Sequence, residues 1–156
     1  MAEIKEIFYK DVLKYENELK NLINMTLLEN YRELYTDKLF ECFYESLIKY
    51  SLDGSAVLLG AFEKDQLVGF QWAHERMFLE KRRMHSYMIA VELEYRNCHI
   101  GSDLLSKLEE VAVSRGICEI EAICKANNPI AVNYHLHNAF LIESYKVVKN
   151  CGSKAI

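Results

Sequence analysis

Proline and glycine are scarce: one proline (Pro129) and six glycines occur in 156 residues. No linker, repeat or low-complexity stretch divides the chain. It reads as a single domain over 1–156, long enough to bury a substantial core. Long apolar runs are missing too. None approaches the roughly 20 residues of a membrane span, and the charged opening MAEIKEIFYKD lacks the apolar centre of a signal peptide. The five cysteines (Cys42, Cys98, Cys118, Cys124 and Cys151) include no CxxC pair. His135 and His137, two positions apart, face different sides of a helix, so no metal is expected. An odd cysteine count without a secretory signal indicates reduced thiols and a cytoplasmic protein. The formal net charge of −4 speaks against nucleic acid and anionic membranes as partners. The basic patch EKRRMH (80–85) is too short to reverse that balance and reads as a solvated strand end. No Gly-Lys-Ser/Thr occurs, which excludes a Walker loop, and a dinucleotide fingerprint is a poor match because only one of its three glycines is present.

What the chain does contain is a regular alternation of element types. IKEIFY (4–9) alternates as a short strand. Val12, Leu13, Leu19, Leu22 and Ile23 give helical spacing from 11 to 25, and a second helix is expected over 32–50. AVLLGAF (56–62) and LVGFQWAHERMF (67–78) are strands joined by the polar hairpin EKDQ. HSYMIAVEL (85–93) is a further strand. Leu104, Leu105, Leu108, Val111 and Ala112 then form one face of a helix that Gly116 closes as a C-cap. ICEIEAIC (117–124) alternates as a strand. Asn128 is placed to cap a helix with Pro129 at its first position, and ESYKVVK (143–149) closes as a last strand. The order β-α-α-β-β-β-α-β-α-β describes an α/β domain. Its strand–helix–strand unit (85–124) is expected to be right-handed and parallel.

The segment YRNCHIGSDLL (95–105) carries the first chemical signal. A polar turn with one glycine runs directly into an apolar helix, where unpaired amides and the helix dipole favour an anion. Amides from Asn97 through Cys98, His99, Ile100 and Gly101 to Ser102 can wrap phosphate oxygens. Arg96 either adds positive charge or pairs with Glu92 or Glu94. A plain strand-to-helix connector explains the same residues equally well.

MIAVELEYRNCHIGSDLL resembles the cofactor motif of the GNAT superfamily of N-acetyltransferases. Val91, Arg96, Gly101, Leu104 and Leu105 fall at its positions, and His99 stands where its first glycine is usual. NPIAVNYHLHNAF (128–140) resembles the family's later motif in register. Asn128, Ala131 and Phe140 match, Ala139 replaces a glycine, and His135 occupies a position commonly held by tyrosine.

The resemblance implies a mixed, twisted sheet flanked by helices, with acetyl-CoA lying where two parallel strands, HSYMIAV and EIEAI, splay apart. It also implies main-chain N–H groups from Met88, Ile89, Ala90 and Val91 facing the thioester carbonyl. Asn128 would meet the pantetheine arm, cap its helix, or both. Acetyl would pass directly to a primary amine on a small molecule or a protein. His85 or Glu92 would serve as base, with His74 and Glu75 on the neighbouring strand. His135 would protonate the departing thiolate, with Tyr134 as a fallback; simple packing is the competing role for each histidine. Tyr31, Tyr35, Tyr44, Tyr50 and Trp72 are candidate acceptor-pocket residues. Fewer residues follow Phe140 than two closing strands require, so a homodimer partner is a possible source of the last strand. The alternative from another class is an acyl-CoA-binding sensor without turnover.

Overall fold

The computed structural model describes residues 1–152. Five strands form one sheet in the order β1-β2-β3-β4-β5: β1 Glu3–Glu6, β2 Ala56–Glu63, β3 Gln66–Phe78, β4 Lys81–Val91 and β5 Ile120–Ala122. The helices are α1 Tyr9–Val12, α2 Glu16–Tyr31, α3 Asp37–Leu52, α4 Ile100–Ser114 and α5 Pro129–His137. β1 to β4 pair antiparallel, whereas β5 runs parallel to β4. The expected parallel pair around α4 is therefore present.

The sheet is covered on both sides, which explains why AVLLGAF is apolar without alternation. Val57, Leu59 and Ala61 face α4 with Leu104, Leu108 and Ala112. Leu58, Phe62, Phe70 and Trp72 face the other way, against Leu19, Leu22, Ile23 and Leu27 of α2 and Leu47 of α3. Burying each such side chain contributes about 1.5–3 kcal/mol. Gly60 is required in the middle of β2, because an added Cβ would lie 2.7 Å from Ile7 and Phe62 carbons.

Several boundaries differ from expectation. The first helix is interrupted by a 3₁₀ turn at Leu13–Tyr15 and then continues to Tyr31, since Leu27 extends the stripe of Leu19 and Ile23 by one more turn. β4 starts at Lys81, so EKRRMH is not a solvated end: Arg83 and His85 are buried. β5 is shorter than 117–124 because its pairing with β4 stops at Ala122. The closing strand expected over 143–149 is not formed, and residues 140–152 carry no helix or strand. A strand needs a partner edge as well as a β-prone pattern, and no ladder forms along this segment. Gly116 takes a positive φ of 71° at the end of α4, and the Asn128 side chain accepts from the Ala131 amide at 3.1 Å. Both caps are where the pattern placed them. Among the described residues no helix is long and apolar enough to cross a membrane.

Candidate active site

The parallel strands β4 and β5 meet over three rungs, Met84↔Ile120, His85↔Glu121 and Ser86↔Ala122. Beyond Ser86 they separate, and the β5-side edge of β4 from Tyr87 to Val91 has no strand beside it. At the same level β4 carries a bulge. Trp72 pairs with Met88 and Ala73 with Ser86, leaving Tyr87 as the extra residue. A bulge breaks the alternation of faces. Tyr87 packs on Trp72, and Met88 joins the core on the same α2/α3 side.

His85 lies one rung before the opening. Its Nδ1 is 3.0 Å from Glu121 Oε1, so the ring N–H donates to the carboxylate and Nε2 carries the lone pair. Glu121 also accepts from Arg76 and from Arg83, the latter at 3.2 Å. Arg83 in turn bridges Glu119 at 2.6 Å and holds Glu143 through both terminal nitrogens. Burial lowers the His85 pKa below the ordinary histidine value; the Glu121 hydrogen bond opposes that shift and Arg76 adds to it. His74, its cross-strand partner, is also lowered, first by burial and then by the charges of His85 and Arg76. Both imidazoles are neutral at neutral pH.

Aromatic rings surround this pair. Tyr50 stacks on His74 at 5.9 Å, Tyr87 lies 4.5 Å from Trp72 and 6.2 Å from His85, and Phe43 is 5.7 Å from Tyr87. Of the aromatic residues expected at a pocket, Tyr50 and Trp72 are here. Tyr44 instead stacks on Phe40, and Tyr35 hydrogen-bonds Asn24.

The turn before α4 has an unusual backbone. Asn97 and His99 both take left-handed backbone, with φ of 61° and 64°. The first helical bond runs from the Asp103 amide to His99 O at 2.9 Å, and among the described residues no amide from Asn97 to Ser102 has an acceptor. Free N–H groups at a helix start are the elements from which anion sites are made. The usual glycine at the position of His99 has its explanation in that φ, and histidine adopts it at modest cost. Arg96 pairs with neither Glu92 nor Glu94. It donates to Val91 O at 2.9 Å and to Glu29 of α2 at 2.9 Å, clamping the turn to α2. Cys98 is exposed, its thiol 3.6 Å from Arg96 O.

α5 docks on that turn. The Tyr134 hydroxyl donates to Gly101 O at 2.8 Å, and a Cβ at residue 101 would come within 3.1 Å of the Tyr134 ring. Burial pushes the Tyr134 hydroxyl up to about 12. His135 donates through Nδ1 to Ala131 O at 2.7 Å and packs edge-on against Phe140. Asn128 caps α5 and donates to Asn30 of α2. Among the described residues neither a hydrogen bond nor a ring contact joins His135 to the His85 group. Glu92 follows the C-terminal end of β4, seven positions from His85, its amide bonded to Val68 O and its carboxyl pKa raised by burial and then by Glu94 and Glu18.

Residues 20–140 match the family model described as acetyltransferase (GNAT) family. The chain belongs to the GNAT acetyltransferase family. It is an acyltransferase. No curated protein matches its sequence. A putative acetyltransferase from Pyrococcus furiosus shares 23% identity at a TM-score of 0.77, over 96% of this chain and 99% of that one. The PaiA N-acetyltransferase of Thermoplasma acidophilum, solved with coenzyme A, is 19% identical at a TM-score of 0.73, with 94% and 93% coverage. An aminoglycoside acetyltransferase from an uncultured soil metagenomic sample, solved with sisomicin, is 16% identical at 0.74, with 98% and 97% coverage. At these identities the likeness is one of fold.

In this acetyltransferase the sequence reading did not single out Glu121, Arg76 or Tyr87 for the His85 group, nor Glu29 for the turn. Alternation in EIEAI placed Glu119 and Glu121 on one face of the expected strand 117–124. That faint signal gained meaning only once β5 lay beside Arg83 and His85.

Proposed function

We propose that the protein transfers acetyl from acetyl-CoA directly to a primary amine, on a small molecule or a protein. One observation carries this reading: a neutral histidine held by a carboxylate one rung before β4 and β5 part, two positions from the bulge residue Tyr87. The cosubstrate fits the residues present. The bare edge of β4 offers main-chain partners to the pantetheine amides, and the amides of 97–102 offer a seat to the pyrophosphate. When bound, acetyl-CoA supplies an activated thioester.

The chain's own groups then divide the work. Glu121 fixes the His85 tautomer, leaving Nε2 to take the proton of the incoming ammonium, because only the neutral amine attacks. The lowered pKa keeps His85 unprotonated at neutral pH. A main-chain N–H at the Met88 end of the Met88–Val91 edge, nearest the bulge, stabilises the negative oxygen that forms during attack. The departing thiolate, with an ordinary thiol pKa of about 8.5, needs little assistance. His135 is the residue we assign to its protonation, in the imidazolium form: Nδ1–H stays on Ala131 O and the second proton, on Nε2, passes to the sulfur. Glu92 has no place at the same amine. Seven strand positions at about 3.3 Å each set it roughly 20 Å from His85. A reducing cytoplasm suits the five free, exposed cysteines.

The test is release of CoA thiol from acetyl-CoA across a panel of amines, with acetylated product identified by mass. Transfer that disappears in His85→Gln while acetyl-CoA still raises the melting temperature supports the reading. Equal protection by ATP, NAD and acetyl-CoA, with no thiol released, refutes it.

A further inference from the structure

The surroundings of His85 also restrict the acceptor, given the transfer chemistry proposed above. Amines with several positive charges need an unpaired carboxylate for each additional ammonium, because a desolvated cation without a partner is costly. Among the described residues none is available beside His85. Glu75, next to His74 on β3, is bound by Arg82 at 2.9 Å and by Arg115 at 3.4 Å. Glu121 is shared by His85, Arg76 and Arg83. Glu119 and Glu143 are both committed to Arg83. A second ammonium would meet the half-exposed Arg76 rather than an anion.

What the site does offer is aromatic surface. Tyr50 and Tyr87 are 38% and 42% exposed, and they rise beside the fully buried Trp72. They come from different elements, α3 and β4, and both rings lie within 6 Å of the His74 ring. Flat faces of this kind attract one ammonium through their quadrupoles and bury an apolar body beside it.

We propose that the acceptor is a monoamine carried on a flat aromatic body, and that Tyr50 and Tyr87 select it. Polyamines and amino sugars are then poor substrates.

Trp72 is the one tryptophan in the chain, so its fluorescence reports on this site independently of turnover. Titrating the CoA-bound protein with 2-phenylethylamine is expected to give a saturable change that Tyr87→Ala abolishes and spermidine does not produce. In thiol-release assays kcat/KM for 2-phenylethylamine should exceed that for n-butylamine about tenfold, with spermidine and sisomicin lower again. Tyr50→Ala should raise the KM for the aryl amine several-fold, and Tyr50→Phe should restore it. Spermidine or sisomicin turned over as well as 2-phenylethylamine overturns this inference and leaves acetyl transfer standing. No turnover with any amine removes both, and a Trp72 response insensitive to Tyr87→Ala removes the selective role of the ring.

Discussion

Replacing Glu121 by glutamine tests how the His85 site works. The substitution keeps the shape of the side chain and deletes the charge that accepts the His85 Nδ1–H at 3.0 Å. During amine attack His85 becomes an imidazolium, and the bond to Glu121 becomes charge-assisted. Hydrogen bonds to charged groups are worth about 1.5–3 kcal/mol, and each 1.36 kcal/mol is tenfold in rate. Glu121→Gln should therefore lower kcat/KM about 10- to 100-fold, while the KM for acetyl-CoA holds steady. The pH profile supplies the discriminating sign. Burial already lowers the His85 pKa against the opposing pull of Glu121. Removing the carboxylate also leaves Arg76 facing the ring uncompensated. The acid limb of kcat/KM, already below the ordinary histidine value, should move to still lower pH as the rate falls. A steady-state profile from pH 5 to 9 reads both effects. An unchanged limb in Glu121→Gln, or one that moves to higher pH, refutes the assignment of Glu121 as the residue that positions His85.

Other consequences follow from the same geometry. His99→Gly relieves a left-handed φ of 64° and should stabilise the protein by about 0.5–1 kcal/mol in urea denaturation; a loss of stability would mean that the imidazole itself supports the turn. Gly60→Ala forces a Cβ to within 2.7 Å of Ile7 and Phe62 and should cost about 1–3 kcal/mol in the same assay. Tyr134→Phe deletes the bond to Gly101 O and should destabilise by about 1 kcal/mol, with faster amide exchange in α5. His74 and His85 are both neutral in the folded state with lowered pKa values. The unfolded chain therefore binds more protons below about pH 6.5, and stability should fall as pH drops from 6.5 to 5. The double variant His74→Gln/His85→Gln should flatten that part of a melting-temperature curve.

Much of this fold is written in local pattern. The two-sided burial of β2, the apolar face of α4, the C-cap Gly116 and the N-cap Asn128 each follow from residues a few positions apart. What escaped the pattern depended on residues far apart in the chain. Arg83 looked like part of a solvated basic patch because Glu119 and Glu143 lie 36 and 60 positions away. Leu79 and Glu80 form the β3–β4 turn with φ of 45° and 66°, although neither is among the residues that favour that region, so no turn was visible there. ESYKVVK has strand composition but forms no ladder with the sheet. His85 was legible as a candidate base from its strand and its chemistry. Glu121, which orients it, was not, because the β4–β5 register had to be known first.

The central claim is that His85 Nε2 takes the amine proton beside acetyl-CoA bound in the β4–β5 opening. Single-turnover acetyl transfer by His85→Gln, preloaded with acetyl-CoA and followed from pH 6 to 10, addresses it most directly. The account predicts acetyl-CoA binding like that of the unaltered protein and a transfer rate lower by about 100-fold or more at neutral pH. The rate should recover toward high pH, where the amine deprotonates in solution. A transfer rate at neutral pH equal to that of the unaltered protein would contradict it.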